Sequence, residues 1–551
     1  MKQKLLWLTV IVLIAAASLV GGYYERRSKA TLTTNEATAP NSENLGFDEA
    51  VAATLDNYAG NLDLEKLTKY SILGMLHQLD PHSSFFTKEE FDRLQTETNS
   101  RIYGIGVSIV KRYDRVYVIS STPGAPGHRA GLRYGDAIIK VDGENVENWQ
   151  SDQVVLRVRG EKGDEVEMTV ERAGVPEPIT VRIKRDEVKL PTVRNAFMLD
   201  EDGIGYIALT GGFSLKTSEE LTEAITELKQ EGMKRLILDL RGNPGGLLNQ
   251  AVEVARKFLQ PSQRIVEVRG RDTSYTPTVY EVPENNMPEN VPLVVLINGQ
   301  SASASEVVAG ALQDHDRAII VGENSFGKGL VQNVKRVWGG AGITLTVAKY
   351  YTPTGRSIQR DYSNVSFYDY YFKRNGDGEK LDETPRGDAL HTDLGRTVYG
   401  GGGITPDIEV KAPETDQTRS KLFYGVFSFV RQLVAGQIPG HREYRVTESQ
   451  TKRSITSEMI NRYPVTDELI AAFRQYLATK KEFNIPEDKF ASHLNYTRAL
   501  MKREILTAAY SPEIGEQAYI SEDTQLQRAI KSFVEAQNLI ETARRAQNIQ
   551  Q

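Results

Sequence analysis

Apolar positions run from Leu5 to about Val20, with only Thr9 and Ser18 between them, behind Lys2 and Lys4. That length falls between the apolar core of a signal peptide and the roughly 20 residues of a spanning helix. Residues 1–24 are therefore expected to export the chain or to anchor it. AAAS offers a cleavage point after Ala17, Trp7, Tyr23 and Tyr24 suit an uncleaved interfacial anchor, and Arg26, Arg27 and Lys29 weaken the charge asymmetry expected of an outward-facing body. From 25 to 45 no period survives and Thr, Asn and Ala dominate, which predicts a flexible tether. Leu67, Ile72, Met75 and Leu76 then return at helical spacing, so 46–100 is read as a helical region, interrupted where Pro81 disfavours helix at Asp80.

Near residue 101 the period shortens to two. Val107 and Ile109, Val116, Val118 and Ile119, and Ile138, Ile139 and Val141 mark short strands, with turns at Tyr134–Asp136 and at Asp142-Gly143, so 101–190 is expected to be β-rich. Beyond Leu190 strands alternate with helices: IGYIAL (204–209), a helix over 217–232 with Thr217 as N-cap and Gly232 as stop, RLILDL (235–240) and PLVVLI (292–297). That alternation predicts an α/β fold with a mainly parallel sheet over 191–410. The remainder, 411–551, is polar and helical in pattern, with one stripe of Leu469, Phe473, Tyr476 and Leu477 and another of Leu526, Ile530, Phe533 and Val534. Such stripes are expected to pack against a domain or a second subunit.

Charge and composition remove several classes of function. The chain has 551 residues and a net charge of -6, with no basic patch interleaved with aromatics, which argues against a nucleic-acid partner. It has no cysteine, so disulfides, thiol nucleophiles and thiolate metal sites are excluded. Its seven histidines never fall in His-x-x-His or His-Glu-x-x-His spacing, which disfavours a zinc hydrolase. His315, in QDHDR, reads as a solvated helix end rather than a member of a Ser/His/Asp triad.

Three loops carry candidate chemistry. RGNPGG (241–246) follows a strand, and its paired glycines let backbone amides approach a substrate closely, although a tight turn into the next helix needs the same residues. NGQSASASE (298–306) follows PLVVLI and sets serines at a helix N-terminus, where free amides favour a developing anion; capping is the other use for serine there, and the segment alone leaves both open. GENSFGKG (322–329) keeps the Gly, Gly and Lys of a phosphate-binding loop, but Gly329 replaces the hydroxyl residue and LVQNVKRV alternates as a strand, which disfavours nucleotide binding. A lysine whose pKa falls from about 10.4 toward roughly 7–8 can instead act as general base to a serine.

Taken in order, GMLHQLDPHSSFF, LDLRGNPGGLL, SASASEVVAGALQDHDRAIIVGENSFGKGLVQ, YYTPTGRSIQ and GGGITPDIEV resemble the carboxyl-terminal processing peptidases, also called tail-specific proteases, over roughly 47–410. Residues 101–190 resemble a PDZ domain, with YGIGV as the carboxylate-binding loop and AGL (130–132) opening a short helix. The resemblance implies a crotonase-like (ClpP-like) α/β peptidase core with an inserted PDZ domain and helical N- and C-terminal regions. It implies a serine endopeptidase that holds protein C-terminal tails and cleaves near them through an acyl-enzyme, with neither cofactor nor metal. Ser303 would be the nucleophile, Lys328 the base and Gln332 its orienting partner. The oxyanion hole would be the Ala304 amide with that of Gly245 or Gly246. Tyr103, Gly104, Ile105, Gly106 and Val107 would hold the tail. Arg159, otherwise a solvated charge beside a turn, would link tail binding to the catalytic centre. Independently of the resemblance, the N-terminal apolar run is expected to place the chain on the periplasmic side of the cell envelope, exported or membrane-associated, and the apolar stripes of the helical regions offer a homodimer as one use. The insertion at 361–397, rich in Tyr and then in Asp and Gly, departs from the family pattern; its clustered aromatics suggest a packing or docking surface, with an ordered surface excursion as the plainer expectation. A PDZ scaffold with an inactive core, binding tails without cleaving them, is the alternative.

Overall fold

The computed structural model describes residues 42–98, 101–200, 202–271, 278–363, 365–372, 387–447, 449–450 and 454–550. The expected leader at 1–24 and most of the tether lie outside the described residues, as do 373–386 of the insertion. The chain divides into two compact units, 1–71 and 72–551. In the first, α1 (Ser42–Asn57) exposes Phe47, Val51 and Leu55 at intervals of four residues, and α2 (Leu64–His77) begins.

In the second unit α2 ends at His77, and Leu76 is buried while Met75, its partner in the apolar pattern, is 61% exposed. Asp80 then shapes the chain. Its Oδ1 accepts the N–H groups of His82 and Ser83, both at 2.8 Å, and its Oδ2 accepts Ser83 Oγ at 2.6 Å. This side-chain turn leads into β1 (Ser84–Phe86) and α3 (Lys88–Thr98).

The β-rich region forms a sheet of β2 (Val107–Arg112), β3 (Arg115–Ser121), β4 (Ala137–Val141), β5 (Glu165–Glu171) and β6 (Ile179–Lys184), antiparallel and in that order. Alternation turns Val116, Val118, Ile138, Val141, Met168 and Ile183 inward, and α4 (Ser151–Val158) adds Val154 and Val158 to the same core. The chain enters and leaves side by side, because Arg101–Gly104 pairs antiparallel with Asp186–Lys189. One local expectation is reversed: the short helix is Pro126–Arg129, and AGL closes it. Pro126 is preorganised for the first helical turn, and Gly131, at φ +80°, supplies the left-handed residue that ends it.

The main sheet has β7 (Val193–Met198), β8 (Ile204–Leu209), β9 (Arg235–Asp239), β12 (Leu293–Ile297), β13 (Ile319–Gly322) and β16 (Ile408–Glu409), adjacent in that order. Only β7 and β8 run antiparallel. Its apolar runs are continuous because both faces are covered. Leu236, Leu238, Leu293, Val295 and Ile297 face α5 (Thr217–Gln230), α6 (Leu248–Arg256) and α7 (Ala304–Asp314), whereas Ile237, Val294 and Leu296 face C-terminal helices. A second sheet holds β10 (Arg264–Gly270), β11 (Thr278–Glu281), β14 (Leu330–Arg336), β15 (Gly342–Tyr351) and β1. Thr217 stands one position inside α5 rather than at its cap, and its hydroxyl accepts the Ser214 N–H at 2.8 Å.

The insertion contributes α8 (Phe367–Phe372). After it come α9 (Gln417–Val434), α10 (Asp467–Ala478), α11 (Leu494–Ala509), α12 (Thr524–Lys531) and α13 (Phe533–Gln550). α10 buries Leu469, Phe473 and Leu477 as the stripe predicts. The later stripe is broken: the helix stops at Ser532, whose Oγ bonds Arg528 O at 2.8 Å, so Phe533 is buried while Val534 is 70% exposed. His315 is not solvated. Its ring bridges Asp393 and the Arg264 carbonyl, each at 2.7 Å, and ties the end of α7 to the first residue of β10. No helix among the described residues is long and apolar enough to cross a membrane.

Candidate active site

Because β9, β12 and β13 are parallel neighbours, the three candidate loops leave the sheet at the same edge. Hydrogen bonds lace them together. Gly242 N–H donates to Asn298 Oδ1 (3.0 Å), Ala302 N–H to Asn243 O (3.0 Å) and Phe326 N–H to Ser301 O (2.8 Å). Ser301 Oγ donates to Leu240 O (2.8 Å), and Ser305 Oγ to Asn243 O (3.0 Å). Two of the three serines are therefore consumed in holding loops. Ser303 is different: it sits immediately before α7 at φ +55°, ψ −113°. A non-glycine residue there carries about 1–3 kcal/mol of strain, which the laced loops hold in place. The result is a sharp strand-to-helix elbow that sets the Ser303 hydroxyl at a helix N-terminus.

Glu306, one turn into α7 and fully buried, joins the serine loop to the lysine loop. Its Oε2 accepts the N–H groups of Ser303 and Lys328, both at 2.8 Å. Its Oε1 accepts Ser325 Oγ at 2.5 Å and Gly327 N–H at 2.6 Å. Burial raises its pKa above the ordinary carboxyl value, outweighing those four donors. The reading of the sequence did not single out Glu306, although Ser-x-x-Glu before an apolar run is a legible signal.

Lys328 points an amine into this site. Desolvation lowers its pKa, and the charges of Glu306 and Asp80 oppose that shift. Its Nζ donates to Gln332 Oε1 at 3.0 Å, and Gln332 Nε2 in turn donates to the His82 carbonyl. Among the described residues the partner of the Lys328 amine is thus Gln332 rather than Ser303 Oγ. Near the Ser303 side chain lies Tyr350, a buried phenol on β15 whose pKa is pushed up to about 12 by desolvation, a shift that its interaction with Ser303 opposes. His82 and Tyr350 were not singled out from the sequence either; each lies far from the serine in the chain and is brought in by sheet pairing. Gly329 is small for a packing reason, since a Cβ there would lie 2.6 Å from the Gln359 backbone nitrogen.

The paired glycines separate into two roles. Gly245 N–H donates to Asn243 Oδ1 at 2.9 Å, and a Cβ on Gly245 would lie 2.7 Å from Ser303 Cβ. Among the described residues, neither the Gly246 nor the Ala304 N–H donates a hydrogen bond, so these two amides are the ones available to an oxyanion near Ser303.

In the β-rich domain β2 is an edge strand with an open side. Tyr103 and Gly104 belong to the ribbon at its base, opposite Glu187 and Asp186. Ile105 is buried, Gly106 adopts φ +68°, and their carbonyls accept Gly127 and Thr122 N–H at 2.7 and 2.8 Å. A cavity of about 1490 Å³ opens beside Gly104–Ile109, walled also by Val155 of α4, Glu223 of α5 and Arg445. Arg159, half-buried at the end of α4, lines the same cavity. The C-terminal helices grip this domain from behind, with Tyr134 Oη on Glu504 (2.7 Å) and Arg431 Nε on Gly135 O (2.5 Å). A side chain at Gly106 would meet Ala125 Cβ at 2.4 Å and force a strained φ. Gly106→Val is therefore expected to weaken binding of a labelled tail peptide by about tenfold or more, read by fluorescence polarisation.

A model of peptidase family S41 matches residues 203–364, and a PDZ-domain model matches 94–171. The carboxy-terminal-processing protease of Bartonella bacilliformis is 35% identical over 363 residues, covering 65% of this chain and 81% of that protein. The carboxy-terminal processing protease CtpA of Bacillus subtilis is 33% identical over 362 residues, covering 65% and 75%. Among solved structures, a photosystem II D1 C-terminal processing protease is 28% identical, covers 66% of this chain and 86% of its own, and aligns with a TM-score of 0.36.

Proposed function

Because this chain belongs to the carboxy-terminal-processing serine proteases of peptidase family S41 and carries a PDZ domain, we propose that Ser303 is its nucleophile and Lys328 its general base. The observation that carries this reading is the strained elbow at Ser303, coupled through buried Glu306 to the backbone of Lys328.

A substrate tail would add a strand to the open edge of β2, with its carboxylate at the amides of Tyr103–Val107. Turning the Lys328 amine from Gln332 toward Ser303 Oγ lets it take the hydroxyl proton as Ser303 attacks the scissile carbonyl. The Gly246 and Ala304 amides receive the oxyanion. The protonated amine then returns its proton to the leaving peptide nitrogen, and water, activated by the same lysine, releases the acyl group. Gln332, held by the His82 carbonyl, keeps the amine within reach between steps. Arg159 faces the tail cavity together with Glu223 of the core, which supports its role as a link between tail occupancy and the catalytic loops. The apolar run from Leu5 to Val20 supports work on the periplasmic side of a cell envelope, at the membrane. The exposed Phe47, Val51 and Leu55 of α1 support pairing with a second copy.

Lysine is a base only when neutral, and burial holds its pKa below 10.5. Activity should therefore climb with rising pH and level off below the ordinary lysine value, as a kcat/KM profile would show. The decisive experiment feeds a tail-bearing protein to the enzyme, quenches in acid and maps both the new C-termini and any acyl adduct by mass spectrometry. An adduct on the peptide containing Ser303 is expected. Cleavage with an adduct elsewhere, or with none under conditions that trap one, overturns the assignment.

A further inference from the structure

The insertion is not a simple excursion, because α8 lies against the segment that supports the lysine. Phe367 stacks on His77 with ring centroids 4.8 Å apart, and Tyr370 and Tyr371 reach opposite nitrogens of the His82 ring. The hydroxyl of Tyr371 donates to Pro81 O at 2.9 Å, so its oxygen accepts from His82 Nδ1 at 2.9 Å. Nε2 is then the acceptor for the Tyr370 hydroxyl, also at 2.9 Å, and Tyr370 Oη in turn accepts Gln359 Nε2 at 3.1 Å. Every donor in this chain has an acceptor only with the imidazole neutral and protonated at Nδ1. Burial and the nearby charge of Lys328 favour the same state, lowering the His82 pKa to about 3. Around the ring, Phe326 lies 6.3 Å away, and Arg360 covers the Tyr370 face at 3.9 Å. The backbone of His82 is fixed from the other side by Asp80.

We infer that α8 is a positioning element for catalysis: by clamping both nitrogens of His82, Tyr370 and Tyr371 fix the carbonyl that orients Gln332, and thereby the Lys328 amine. This rests on the proposed roles of Lys328 and Gln332. Neither tyrosine touches a reacting atom. The physical reason for such a clamp is that an amide rotor hydrogen-bonded to one buried carbonyl follows it, and a lysine with a flexible stem needs a fixed acceptor to be held near a serine. The motif DPHSS and the aromatic run FYDYYF, which had no shared purpose in the sequence, become two halves of one support.

The test is a double-mutant cycle read by steady-state kinetics. Tyr370→Phe/Tyr371→Phe, which keeps the rings and removes both hydroxyls, is expected to lower kcat about tenfold with KM and tail-peptide Kd within twofold. The same pair placed in a Gln332→Ala enzyme is expected to change kcat by less than about twofold, because the part through which the tyrosines act is already gone. Tyr371→Phe alone gives the same comparison if the pair lowers the melting temperature. An unchanged kcat in the parent background, or equal losses in both backgrounds, overturns the inference. Full activity in Gln332→Ala itself would instead remove the reading of Gln332 on which the inference stands, so the two failures are distinct.

Discussion

Ser303→Ala and Lys328→Ala are each expected to lower kcat/KM on a tail-bearing protein by about 10⁴-fold or more. Both should leave tail-peptide Kd unchanged, since the open edge of β2 and the loop 103–107 belong to a separate hydrophobic core. Residual amide stabilisation cannot replace a missing nucleophile, and losing the base costs nearly as much because serine is not ionised at neutral pH. Lys328→Arg sharpens the result. A guanidinium keeps positive charge beside Ser303 but cannot be deprotonated, so an inactive Arg variant assigns base rather than charge stabilisation to the lysine. Lys328→Met is expected to be inactive yet no less stable. Desolvation penalises the charged amine in the folded state, and the sign is unambiguous. A lysine whose folded pKa is lowered binds fewer protons folded than unfolded across that window, so it opposes folding until the pH rises above its unfolded value. Melting curves with activity assays on the same preparations check both statements, and an active Ser303→Ala enzyme would sink the assignment.

Glu306→Gln is expected to damage activity less severely than those changes, but to damage the fold as well. Each carboxylate oxygen accepts two donors: Ser303 N–H and Lys328 N–H on one, Ser325 Oγ and Gly327 N–H on the other. An amide offers one accepting oxygen and one donating nitrogen, so two of the four donors would face N–H groups. With unmet buried donors costing roughly 1–3 kcal/mol each, a loss of about 2–5 kcal/mol in stability is expected, together with a fall in kcat of about 100-fold as the elbow relaxes. Denaturant unfolding and single-turnover kinetics measure the two separately. Unchanged unfolding with normal kcat would mean that the carboxylate does not join the serine and lysine loops.

The chain carried its architecture openly. Period-two alternation over 107–141, continuous apolar strands at 235–240 and 292–297, and glycine-marked helix ends identified a β-rich domain inside an α/β fold, because those patterns are set by which faces must be buried. The loop motifs pointed to a serine at a helix N-terminus and to a glycine-flanked Lys328 for a related reason, since a strand followed by small residues and a helix dictates local backbone form; choosing Ser303 among three serines came from the family resemblance. Errors fell where packing overrode period. Met75 and Val534 look equivalent to Leu76 and Phe533 along the chain, but only one of each pair meets a partner. His315 looked solvated in QDHDR, and it is bound because Asp393, 78 residues on, comes to it.

Sequence by itself determined the elements, the class of chemistry and the two loops that carry it, since hydrophobic period and backbone preference act over a few residues. Tertiary structure alone decided which serine is spared from structural duty and which glycine amide stays available. It also decided that the backbone of a histidine near residue 80 reaches the lysine through Gln332, and that two tyrosines of an insertion hold the ring of that histidine. Those choices depend on hydrogen bonds between segments tens to hundreds of residues apart, which no local pattern encodes and which only the closed sheets bring within 3 Å.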